Sequence, residues 1–165
     1  MKMILFFAAW LATTTTFAQK KTQSVDQDIQ AIEQEYAQTK KGMLDDFMQI
    51  QGTEATAFWK IYDEYEAERT VLARKKFDLI VDYAANYGTL TADKADELVN
   101  ATFDANMDYE KMNQKYYNKM KKEIGALDAA RFTQFETYLQ SIVQGEIQDE
   151  LPFIGEVDKA KKSKK

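Results

Sequence analysis

The chain has 165 residues, with 22 basic and 27 acidic side chains, 19 Phe and Tyr together, and neither histidine nor cysteine. Those two absences remove the commonest general base, the commonest transition-metal ligand and the thiol nucleophile, and they exclude disulfides and a cysteine-linked lipid anchor. The charge is uneven: residues 19–158 hold 16 basic against 27 acidic groups, a net −11, whereas the terminal KAKKSKK adds five lysines. An acidic body repels phosphate backbones, so no nucleic acid partner is expected.

The N-terminus, MKMILFFAAWLATTTTFAQK, has a lysine at position 2, an apolar run from Met3 to Ala12, and then small residues. This pattern predicts a secretory signal peptide over residues 1–18, with Thr16 and Ala18 placed for cleavage ahead of Gln19. A run of roughly 10 apolar residues falls short of the ~20 that span a bilayer. No later stretch is apolar enough either, so the mature protein is expected in the periplasm, without an integral membrane span. What remains is the size of one domain, residues 19–158, followed by a basic, disordered tail over 159–165.

Few breakers interrupt this domain, which has 6 Gly and 1 Pro in the whole chain, and its apolar residues recur at helical spacing. The spacing predicts an all-α fold of about four helices. The first runs from Val25 to Met48, with Val25, Ile29, Ile32, Tyr36, Met43 and Phe47 on one face and Gly42 weakening or dividing it. The second runs from Thr53 to Tyr87, with Phe58, Tyr62, Tyr65, Arg69, Leu72, Lys76, Leu79 and Tyr83 alternating four and three apart. Asn86-Tyr87-Gly88 stops it. The third, from Ala92 to Glu123, carries Ala95, Leu98, Thr102, Ala105, Tyr109, Met112 and Tyr116, and Ile124-Gly125 ends it. The fourth starts at Asp128 and carries Phe132, Phe135, Leu139, Ile142, Val143 and Ile147 as far as Leu151-Pro152, where proline forbids continuation. Short links between long helices favour elongated antiparallel hairpins, and their narrow apolar seams leave surface for a second copy of the chain or another partner.

One frame occurs at three helix starts: Leu90-Thr91 then Ala95 and Leu98; Ile50-Gln51 then Ala55 and Phe58; Leu127-Asp128 then Phe132 and Phe135. It reads as a hydrophobic staple with a cap. Thr91 and Asp128 are expected to accept hydrogen bonds from first-turn amides, and Thr53 to serve where Gln51 caps poorly; each such cap is worth ~1 kcal/mol. The acids Asp93, Asp96 and Glu97 tune that helix end, because the closely spaced oxygens and glycine of a calcium loop are missing. No metal or cofactor is expected.

At these residues the chain resembles the Spy/CpxP-like family of periplasmic helical proteins, whose LTXXQ motif opens a helix of a hairpin. Leu90-Thr91-Ala92-Asp93-Lys94 carries its Leu-Thr, with lysine in place of glutamine. EATAFWKIYDEYEAER, RFTQFETYL and DELPFI are closer to a Bacteroidetes-type branch, and the likeness covers most of residues 43–154. The resemblance implies a cradle-like homodimer that binds unfolded envelope proteins without ATP. The alternative it implies is a periplasmic sensor or regulator of an envelope-stress pathway acting through protein contacts, with the Leu151-Pro152-Phe153-Ile154 segment as one contact. Relatives bind zinc, nickel or cobalt through histidines, which this chain lacks.

The residues suited to protein contact are aromatic: Phe58, Trp59, Tyr62, Tyr65, Tyr109, Tyr116 and Tyr117. Rings offer large apolar area with little rotamer cost, and Met107, Met112 and Met120 add adaptable thioethers. For Phe58, Tyr62 and Tyr65 the hairpin core is the stronger of the two readings. Neighbours on a helix point about 100° apart, so Tyr116 with Tyr117, and Phe58 with Trp59, cannot both occupy one seam. An enzyme is not expected: the carboxylates of Glu33 and Glu35, or Asp63 and Glu64, do not converge from those positions, and Ser24, Ser141 and Ser163 have no histidine to activate them.

Overall fold

A computed structural model describes residues 22–152 and 154, with side chains described from Glu35 to Asp149 and at 151, 152 and 154. The expected signal peptide and basic tail lie outside the described residues, as do Phe153 and the side chains of Val25, Ile29 and Ile32. The described residues are almost entirely helical, without strands. Helix α1 spans Thr22–Met48, α2 spans Gly52–Asn86, a short 3-10 turn covers Tyr87–Thr89, and α3 spans Ala92–Glu150.

Helix α3, 59 residues long, is broken once, at Gly125, where φ 81° and ψ 165° leave the helical region. This is a conformation essentially confined to glycine. It divides α3 into an outgoing arm, 92–124, and a return arm, 126–150. Ion pairs give the register of the outgoing arm on α2: Asp82 with Lys94 at 2.8 Å, Lys75 with Asp108 at 3.1 Å, and Glu64 with Lys119 at 2.5 Å. Numbers fall along one helix as they rise along the other, so the two are antiparallel. The return arm runs parallel to α2, because Tyr65 meets Glu136 and Tyr83 meets Pro152, separations of 71 and 69 residues.

The core lies where four segments converge: the end of α1 (Leu44, Met48), the first half of α2 (Phe58, Ile61, Tyr62, Tyr65), the outgoing arm near the break (Tyr109, Met112, Tyr116, Met120, Ile124) and the start of the return arm (Ala129, Phe132, Phe135). Burying a side chain of this size contributes roughly 1.5–3 kcal/mol. Farther along the hairpin only Leu98 and Ala105 are fully buried, while Phe77, Leu79, Ile80 and Tyr83 are partly exposed.

Three expectations change. Gly42 does not divide α1; it is exposed within a continuous helix. The buried packing of Leu44 and Met48 exceeds the roughly 1 kcal/mol that one glycine costs a helix. Helix α1 is also rotated from its expected face: Met43 and Phe47 are exposed, and Lys40, Leu44 and Met48 point inward. The third staple does not form, since the return arm is already helical at Leu127, which is 76% exposed.

Candidate functional site

Alternating three- and four-residue steps bring Phe58, Tyr62 and Tyr65 to one face of α2, where Phe132 of the return arm meets all of them edge-on at centroid distances of 5.8, 6.3 and 5.2 Å. Tyr116 of the outgoing arm meets Tyr65 at 5.4 Å, and Phe47 of α1 meets Phe135 at 5.3 Å. Aromatic pairs of this kind add about 0.5–1.5 kcal/mol each beyond area burial.

Set into this aromatic cluster is a cation. Lys40 of α1 is only 2% exposed; its Nζ donates to Glu66 Oε1 at 2.5 Å and to Glu136 Oε2 at 2.7 Å, and lies 5.7 and 5.3 Å from the ring centres of Tyr62 and Tyr65. One ammonium thus joins α1 to α2 and to the return arm. Glu66 is further held by Arg69, which donates from Nε at 2.9 Å and from Nη2 at 3.0 Å, and the Arg69 guanidinium lies 5.9 Å from the Tyr36 ring. Tyr65 donates its hydroxyl to Glu136 Oε2 at 2.9 Å.

The two carboxylates respond oppositely to one environment. Burial pushes Glu136 above the usual carboxylate range, against the pull of Lys40 and the Tyr65 hydroxyl. Burial also acts on Glu66, but the hydrogen bonds and charges of Arg69 and Lys40 prevail and hold it below that range. Burial raises the Tyr62 and Tyr65 phenols, with nearby carboxylates adding to the effect, so both stay neutral. Glu136 Oε1 and the Tyr62 hydroxyl have no hydrogen-bond partner. Glu136 also lines a cavity of about 10 Å³ with Tyr65, Asn113, Phe132, Thr133 and Thr137, a volume of the order that one water requires.

Helix α1 is fastened at its end as well. Arg131 donates to the Phe47 carbonyl at 2.6 Å and the Met48 carbonyl at 3.3 Å, satisfying acceptors that a helix end leaves unpaired. Gln49 then takes φ 51°, and Gly52 φ 68°, turning the chain into α2. On the exposed side Lys41 pairs with Asp63 at 2.9 Å and lies 5.0 Å from the Trp59 ring.

Of the residues expected to meet a partner, Phe58, Tyr62, Tyr65, Tyr109 and Tyr116 are buried, while Trp59 and Tyr117 are partly exposed beside the core. Tyr117 borders an open groove with Ala130, Gln134 and Tyr138. Thr91 stands at the N-cap of α3 with its side chain accepting from the Lys94 amide at 3.2 Å. Gln51 occupies the cap position of α2 without a side-chain bond, so Thr53 falls within the first turn. Asp128 also lies inside a helix, and its carboxylate accepts from Arg131 at 2.9 Å. Leu151 and Pro152 are half-buried, with the Pro152 carbonyl accepting from the Tyr83 hydroxyl at 2.7 Å. No cluster of three metal-ligating side chains occurs among the described residues, nor is any described helix long and apolar enough to cross a membrane.

Sequence reasoning missed the Lys40–Glu66–Glu136 cluster. Its one local signal is the four-residue spacing of Lys40, Leu44 and Met48; the carboxylates lie 26 and 96 residues away. No protein-family model, curated protein or solved structure matches the chain.

Proposed function

We propose that this protein is an exported, non-enzymatic binder of unfolded envelope proteins, of the Spy/CpxP-like kind, working in the periplasm without nucleotide or metal. The observation that carries this reading is a stripe on the outgoing arm: Val99, Phe103 and Met107, spaced four apart on one helix face, are 48, 60 and 51% exposed. Contiguous apolar surface of this kind on a helix is suited to holding other chains, and the thioether of Met107 suits varied partners. Acidic neighbours such as Asp96, Asp104 and Glu110 keep the surrounding surface soluble. The α2–α3 hairpin and the return arm supply the elongated scaffold of the reading, in which a second copy completes a cradle-like homodimer.

The test is suppression of aggregation of a chemically denatured protein diluted into buffer without nucleotide. At several-fold excess over client the protein is expected to reduce light scattering, and replacing Val99, Phe103 and Met107 together by serine is expected to abolish most of that effect. No suppression by the intact protein sinks the reading. Sedimentation equilibrium tests the homodimer.

A further inference from the structure

The aromatic cluster is floored and roofed by different elements. Its floor belongs to α2 and the return arm, whose rings touch one another directly through Phe58, Tyr62, Tyr65 and Phe132. The side chains of α1 that sink into it are Lys40, Leu44 and Met48, at 2, 0 and 2% exposure. They follow one another at four-residue steps along one face. Met43 and Phe47 are exposed, although the Phe47 ring still meets Phe135, and Lys41 pairs with Asp63 along the rim.

The floor is shaped for a cation as well as for apolar groups. Glu66 and Glu136, from different helices, converge on one ammonium, with the rings of Tyr62 and Tyr65 at cation–π distance. An uncharged helix laid there leaves buried Glu136 without a cation and Glu66 with Arg69 alone, so the groove discriminates by charge. The chain leaves the groove at Gln49, a non-glycine residue at positive φ, and Arg131, next to Phe132 on the return arm, grips the last carbonyls of α1.

We infer that this groove is a receptor for an amphipathic helix that sets a single cation into its apolar face, with α1 as its resident occupant. The partner it fits is a segment with lysine or arginine followed four and eight residues later by large apolar side chains, which exchanges with residues 40–48. The inference rests on the protein-binding reading but concerns another surface. The stripe at Val99, Phe103 and Met107 holds chains indiscriminately, and the groove selects among them.

The test uses the full mature chain and a fluorescein-labelled peptide of residues 36–48, together with the same peptide carrying Lys40→Glu. Tethered α1 competes at an effective concentration of about the millimolar range, so the peptide is expected to bind the unaltered protein weakly. Two protein variants loosen α1 by separate means: Lys40→Ala removes its cation, and Arg131→Ala releases its end. Each is expected to keep its helical circular dichroism, exchange amide hydrogens faster over residues 36–48, and bind the peptide at least tenfold more tightly than the unaltered protein. The Lys40→Glu peptide is expected to lose at least tenfold on both.

Equal binding of the two peptides, or binding of neither by a variant whose α1 has opened, overturns the inference. Peptide binding without aggregation suppression removes the chaperone reading and supports the groove. Suppression without peptide binding does the reverse.

Discussion

Tyr62 and Tyr65 lie one turn apart on α2, both buried and both against Phe132, yet their hydroxyls have different surroundings. Tyr65 donates to Glu136, whereas the Tyr62 hydroxyl is buried without a partner. A hydrogen bond to a charged group contributes about 1.5–3 kcal/mol, and an unsatisfied buried hydroxyl costs about 1–3 kcal/mol. Tyr65→Phe is therefore expected to destabilise by about 2 kcal/mol. Tyr62→Phe is expected to be neutral or stabilising by up to about 1 kcal/mol. Urea denaturation of both variants checks the pair, and equal losses would show that the hydroxyl environments are not as described. From the sequence these tyrosines were indistinguishable, since periodicity assigns a ring to a face and carries no information about the atom opposite its hydroxyl.

At the scale of the element, helix ends were the most legible feature, because glycine and proline act locally. Gly125 breaks α3 where the sequence indicated, and the helix is over at Leu151, before Pro152. Gly125→Ala forces a Cβ into a glycine-only conformation, so a loss of about 1–3 kcal/mol is expected. The space around it is open, with nothing within 4 Å of an added Cβ, so that loss isolates the backbone term. Gly42 is the control: it lies mid-helix with equally open space, and Gly42→Ala is expected to stabilise by about 0.5–1 kcal/mol. Thermal unfolding of the two variants should shift in opposite directions. The face of α1 was less legible than its ends. Met43 and Phe47 make one apolar stripe and Leu44 and Met48 another, and Lys40 weighs against the second until its distant carboxylates are in place.

Across the whole molecule, the buried carboxylates link stability to pH in opposite senses. Glu136 holds its proton more firmly folded than unfolded, so its contribution is complete below the usual carboxylate range and is lost as pH rises through the raised value. Glu66 is lowered, so its contribution is present above that range and is lost as pH falls through the lowered value. Relative to Glu136→Gln, the protein is expected to lose stability as pH rises above about 4.5, by at most ~1.4 kcal/mol per unit. Relative to Glu66→Gln it is expected to lose stability only as pH falls below about 4.5. Denaturation midpoints at several pH values distinguish the two slopes. The Lys40–Glu136 bond has a further consequence, for the order in which the chain assembles. It closes 96 residues of sequence, against 71 for Tyr65–Glu136 and 33 for the Lys75–Asp108 pair that zips α2 to the outgoing arm. Longer closures cost more chain entropy and need both partners already positioned. The same lysine's bond to Glu66 closes only 26 residues, fewer than the hairpin pair, so α1 can meet α2 as early as the hairpin zips, and its ammonium then holds one carboxylate until the return arm brings the other.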